Sequence, residues 1–153
     1  RRALGDRWLE RAGGIAEADF RERLLDDACA VIEHPDFAAL LGPGALAEAP
    51  IAAVIGHGLV VSGTVDRLCV GGERILVADF KTGRNAPATL DAIPAAHLRQ
   101  MAAYQAALSI IFPERPVEAA LLYTAGPYLH ALPDSLLAEH LPTAAMLDRA
   151  LDG

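Results

Sequence analysis

Residues 63–83 read GTVDRLCVGGERILVADFKTG, from Gly63 to Gly83, and the fold turns on this stretch. It divides into two strands at the Gly71-Gly72 pair. The first strand, Leu59 to Val65, ends in Asp66. The second begins with the apolar run Ile75-Leu76-Val77-Ala78 and continues into Asp79, Phe80 and Lys81. A short apolar run bounded by turn residues suits a buried strand. Two glycines between such runs favour a hairpin, which returns the chain and brings Asp66 near Asp79. Strand side chains alternate between faces. Asp79 and Lys81 therefore share one face and Phe80 takes the other. By the same rule Arg67 points away from Asp66, and it reads as a partner in a structural ion pair.

Two carboxylates and a lysine at one sheet end are costly to bury unless they pair or bind something. Carboxylate oxygens suit hard cations such as Mg²⁺ or Mn²⁺. A divalent ion lowers the pKa of a bound water and offsets the charge of a phosphodiester. A neighbouring lysine orients the attacking water or stabilises charge developing on phosphorus. An isolated Asp-x-Lys reads as an ordinary same-face ion pair, with Asp66 a turn residue. The upstream strand, the apolar run and the hairpin favour the metal reading here.

The flanking sequence supplies helices and further strands. Arg1 to Ala12 predicts a short helix stopped at Gly13-Gly14. Glu17 to Glu33 predicts a longer amphipathic one, with Phe20, Leu24, Leu25, Ala28 and Val31-Ile32 at helical spacing. His34-Pro35 ends it. Asp36 is placed to cap a short helix, Phe37 to Leu41, that stops at Gly42-Pro43-Gly44. This whole region reads as helical cover for the sheet. Glu48 opens a first strand, Ala49 to Ile55, and His57 in Gly56-His57-Gly58 reads as a solvated turn residue. Thr82 to Pro94 is a loop bordering the site, where Arg84 is placed either to touch a phosphate or to face solvent. Ala95 to Ile111 predicts a strong helix with Leu98, Met101, Ala102, Gln105, Leu108 and Ile111-Phe112 as its apolar stripe. Gln100 and Tyr104, four apart, share one of its faces, with His97 close to that face. Val117 to Thr124 predicts a buried strand, Tyr128 to Leu132 an edge strand, and Ser135 to about Leu151 a final helix. Tight turns make the early strands antiparallel, and the long helix permits a parallel crossover, so the class is α/β with a mixed sheet.

The motifs GTVDRL, ILVADFKTG and HLRQMAAY resemble those of the PD-(D/E)XK nucleases of the RecB type. The wider pattern, from about Phe37 to Pro133, resembles the C-terminal nuclease domain of the AddA helicase–nucleases. The resemblance implies a restriction-endonuclease-like mixed central sheet flanked by helices. It implies metal binding by Asp66, Asp79 and the backbone carbonyl of Phe80, with Lys81 catalytic and Glu48 assisting. It makes Gln100 and Tyr104, from the Q-x-x-x-Y motif, supporting or DNA-proximal groups. The implied cofactor is Mg²⁺ or Mn²⁺. The implied partners are DNA, as single- or double-stranded ends, the helicase region of the same protein, and a partner helicase–nuclease subunit. One departure stands out: these nucleases carry a histidine on an early helix, in a pattern like G-x-x-x-H-x-L-L, and His34 in EHPDF does not match it. A fragment that begins after that histidine, or a degenerate copy, accounts for this.

Length and composition fit that picture. The 153 residues suit one domain, divided into a helical part (1–47), a sheet core (48–132) and a C-terminal helix (133–153), within a larger protein. No run of about 18 apolar residues predicts a membrane span. Cys29 and Cys69 are too few for a disulfide framework or an iron–sulfur cluster and read as small buried residues in a reducing cytoplasm; the resemblance implies a place at the nucleoid. The net charge of −7 argues against a simple DNA-binding module, although bound metal or further domains would offset it. Two functions compete. One is a metal-dependent DNA nuclease domain in double-strand-break repair, with exonuclease or endonuclease mode open. The other is a non-catalytic interaction domain of nuclease fold docked on a helicase. A hydrolase on an unrelated α/β fold is disfavoured, because neither a G-x-S-x-G elbow nor a P-loop is present.

Overall fold

The Gly-Gly pair forms the predicted hairpin between β2 (Leu59–Val70) and β3 (Ile75–Lys81). The Gly71 N–H donates to the Arg74 carbonyl at 3.0 Å. A Cβ on Gly71 would stand 2.8 Å from that carbonyl oxygen, so the turn excludes a side chain. The structure, a computed structural model, describes residues 1–82, 86–125 and 128–141, apart from the side chains of Asp36 and His57.

β1 (Ala45–Ile55) pairs antiparallel with β2. α4 (Ala95–Ile111) carries the chain from β3 to the parallel strand β4 (Val117–Tyr123), and β5 (Tyr128–Leu132) returns antiparallel to β4. The sheet order is β1-β2-β3-β4-β5. This is the mixed α/β sheet that the strand and helix patterns predict.

Two layers cover the sheet. On one face Val65, Ile75, Val77 and Leu121 pack with Leu98, Met101 and Leu108 of α4, and Leu137 of α5 (Asp134–His140) closes the same core. On the other face Val31 of α2 (Ala18–Glu33), Phe37, and Leu40 of α3 (Ala38–Leu41) meet Leu122, Ala78 and Ala120. Phe80 joins this second layer. The N-terminal helices cover less of the sheet than their apolar stripe predicts. α1 (Arg2–Arg11) packs on α2 and buries none of its own residues, and Phe20 and Ile32 of α2 stay exposed. Instead Arg21 is buried at the α1–α2 junction. Its Nε donates to Asp6 at 2.7 Å and its Nη1 to the carbonyls of Ile15 and Ala16.

Several expected boundaries move. β1 begins at Ala45 rather than after Glu48, so sheet starts inside the stretch assigned to helices. Pro35–Phe37 is a 3₁₀ turn and Phe37, not Asp36, holds the cap position of α3. The loop after Thr82 contains a 3₁₀ turn, Leu90–Ala92. Ile111 is exposed while Ala107 takes a core position in α4. α5 ends at His140, and the expected extension toward Leu151 lies outside the described residues. Among the described residues no helix is long and apolar enough to cross a membrane.

Candidate active site

The register aligns the acidic residues. β1 and β2 pair Ala47 with Arg67 and Ala49 with Val65, which leaves Glu48 opposite Asp66. β2 and β3 pair Arg67 with Ala78, so the next antiparallel step sets Asp66 opposite Asp79. Three carboxylates thus occupy one row across three neighbouring strands. In the parallel pair Lys81 lies beside Tyr123.

This row coincides with a break in the pleat. Val65 and Leu68 both join the α4-side core although they are three apart, which unbroken alternation forbids. Opposite the break, Glu48 has φ +48°, a left-handed conformation that costs a non-glycine residue about 1–2 kcal/mol. Irregular strand segments of this kind re-aim side chains. Glu48 therefore departs from extended backbone at the position opposite Asp66.

Asp66 ends the β2–β3 ladder. Its Oδ2 accepts the Phe80 N–H at 2.6 Å, replacing a strand carbonyl where the paired residues run out. Asp79 and Lys81 share the α4 face, as alternation predicts. The Lys81 Nζ lies 2.6 Å from Asp79 Oδ2 and donates to Gln100 Oε1 at 2.7 Å. The Gln100 amide nitrogen donates to Asp79 Oδ1 at 3.4 Å and to the Tyr104 hydroxyl at 3.3 Å. Tyr104 in turn donates to the Thr64 carbonyl at 3.3 Å. Its ring lies so close to Gly63 that a Cβ there would stand 2.9 Å from it. The glycine three residues before Asp66 thus admits the tyrosine that steadies Gln100, and Gln100 steadies the Asp79–Lys81 pair.

A second set of groups adjoins this pair and carries no motif in the sequence. The His97 Nδ1 lies 2.8 Å from the Tyr123 hydroxyl, and His130 packs edge-on against the Tyr123 ring while its Nε2 reaches the Pro87 carbonyl at 2.8 Å. His97 precedes Gln100 by one helical turn. Tyr123 becomes a site neighbour only through the β3–β4 register, which strand patterns do not give. Burial, with help from nearby Lys81 and against the pull of Asp79, holds the His97 pKa below its ordinary value of 6.5. Burial, then Asp79, raises that of Tyr123. A depressed histidine pKa means that the unfolded chain takes up a proton before the folded one does. His97 therefore imposes no cost above pH 6.5, and stability falls as pH drops below it. Denaturant melts between pH 7.5 and pH 5.5, about one unit either side of the ordinary value, check this. The difference between the wild type and His97→Gln should widen on the alkaline side and shrink on the acid side; parallel curves would contradict it.

A cleft of about 440 Å³ opens beside the row, lined by Ala47, Glu48, Asp66, Arg67, Phe80 and Thr82. Its oxygen donors are of the type that hard cations take. Asp66 has one carboxylate oxygen outside its bond to Phe80, and Phe80 lies two residues past Ala78, the last residue of β3 paired with β2. The donor types fit a divalent ion, although among the described residues no three His, Cys, Asp or Glu side chains are gathered tightly enough to hold one. Of the residues singled out in the sequence, Asp79, Lys81, Gln100 and Tyr104 form one hydrogen-bonded set, while Asp66 and Glu48 line the cleft and Asp66 meets that set only through the Phe80 backbone between Asp79 and Lys81. Arg84 lies outside the described residues. Arg67 departs from expectation. Its guanidinium lies 5.8 Å from the Phe80 ring centroid instead of in an ion pair, and its Nε is buried without a hydrogen-bond partner. Phe80 crosses to the far face of the sheet, and the arginine follows the ring.

A five-stranded mixed sheet covered by helices on both faces, with Asp66 and Asp79-Phe80-Lys81 meeting at adjacent strand ends, defines a restriction-endonuclease-like α/β fold. Residues 3–143 match the family model of the PD-(D/E)XK nuclease superfamily, and the chain belongs to that superfamily. No curated protein matches the chain. Among solved structures, it is similar to one titled "Crystal structure of SSO0001", at 14% identity and a TM-score of 0.44, over 89% of this chain and 70% of that one.

Proposed function

We propose that this chain is a metal-dependent DNA nuclease domain that hydrolyses phosphodiester bonds. The observation that carries the reading is the buried Asp79–Lys81 pair, clamped by Gln100 and set one strand from Asp66. Asp66, Asp79 and the Phe80 carbonyl would hold Mg²⁺ or Mn²⁺, and when bound such an ion offsets phosphate charge and makes water a better nucleophile. Lys81 orients the attacking water or stabilises charge on phosphorus. Gln100 fixes the lysine and Asp79 at once, Tyr104 fixes Gln100, and Glu48 assists from β1. Arg84 is assigned a contact near the DNA.

The finer reading rests on the motif resemblance. It makes the chain one nuclease-like domain of a larger RecB-type protein, close to the C-terminal nuclease domain of AddA, acting in double-strand-break repair. It places the chain in the cytoplasm at the nucleoid, with a helicase region and a partner subunit beside it. A second reading, a nuclease-fold docking domain that does not cut, is favoured by the lack of a tight three-donor group among the described residues. Calorimetric titration with Mn²⁺ separates the two. Heat of binding that is present in the wild type and absent in Asp79→Ala supports the nuclease, and equal heats in both would sink the metal assignment.

A further inference from the structure

We propose that Arg67 binds a DNA phosphate in the cleft next to the acidic row, an inference that rests on the nuclease reading. Arg67 lines the cleft with Glu48, Asp66 and Thr82. Among the described residues no carboxylate pairs with it. Its guanidinium lies 5.8 Å from the Phe80 ring centroid. Its Nε is buried and makes no hydrogen bond among the described residues. A cation placed between two carboxylate-bearing strands would be expected to pair with Asp66 or Glu48. Here Asp66 is turned onto the Phe80 N–H, and Glu48 sits in its left-handed kink.

The result is a guanidinium without a carboxylate partner, set beside an aromatic ring on a residue that lines the groove. Its planar fork of donors matches the oxygens of a phosphodiester. Phe80 ties its position to the reacting residues, because Phe80 stands between Asp79 and Lys81 in the chain. The arginine approaches from the face opposite Lys81, so the two cations contact different parts of the backbone. This also answers the acidic net charge of −7, since a cation at the site attracts a phosphate more effectively than a diffuse surface charge would.

The test is DNA binding in chelator, where no cutting occurs, with labelled single-stranded and duplex oligonucleotides followed by fluorescence anisotropy. Arg67→Met keeps the contact with Phe80 and removes the charge and donors. It should weaken binding about tenfold and reduce the slope of log affinity against log salt by about one. Arg67→Lys should restore the slope but only part of the affinity. Thermal melts of Arg67→Met should match or exceed the wild type, because the buried Nε leaves with the side chain. Unchanged affinity and slope in Arg67→Met, beside a wild type that binds DNA, would overturn this inference alone. A wild type with no affinity for either oligonucleotide would overturn it together with the nuclease reading.

Discussion

Lys81→Met is expected to lower DNA cleavage by at least about a hundredfold, the scale seen when one preorganised charge-stabilising donor is lost. The same substitution should destabilise the fold by about 3–5 kcal/mol, because it leaves the Asp79 carboxylate buried without its cation. The side chains of Lys81 and Asp79 are only 18% and 7% exposed, so solvent screening relieves little of that cost. Gln100 cannot compensate: its amide nitrogen reaches Asp79 only at 3.4 Å and is shared with Tyr104. The double variant Lys81→Met/Asp79→Asn removes both charges and should recover much of the stability while activity stays lost. Urea denaturation and single-turnover cleavage separate the two effects. If the single variant were fully stable, the pair would not be the buried clamp described here.

The second large effect concerns Asp66, which combines two tasks in one carboxylate. Oδ2 accepts the Phe80 N–H, and the other oxygen lies outside that bond. Asp66→Asn retains an oxygen acceptor but loses the charge. It should fold close to the wild type yet bind Mn²⁺ far more weakly. Asp66→Ala loses the acceptor as well and leaves a half-buried backbone donor unpaired, at a cost of about 1–3 kcal/mol. Melting temperature and metal titration on the two variants should therefore diverge. An Asp66→Asn protein that binds Mn²⁺ like the wild type would remove Asp66 from the metal site.

Much of this arrangement is legible in the sequence because it depends on short-range rules. Two-residue alternation puts Asp79 with Lys81 and Phe80 opposite. The Gly71-Gly72 turn brings Asp66 alongside, and helical spacing stacks Gln100 under Tyr104. What was not legible depends on contacts between distant segments. Tyr123 joins the site only because β4 lies parallel to β3 with Lys81 beside it. Arg67 has no ion pair among the described residues and lies by the Phe80 ring, next to a break in the pleat shown by Val65 and Leu68 on one face and by the left-handed Glu48 opposite. In α2 the periodic apolar residues implied a buried stripe. Position 21, an arginine, took the buried place because the turn at Ile15 and Ala16 offered it carbonyl acceptors.

The most direct test of the central claim is cleavage of linear single- and double-stranded DNA with Mg²⁺ or Mn²⁺, beside an Asp79→Ala control. The account predicts metal-dependent cutting by the wild type that the control loses. Cutting that survives in Asp79→Ala, or that proceeds equally in chelator, would contradict it.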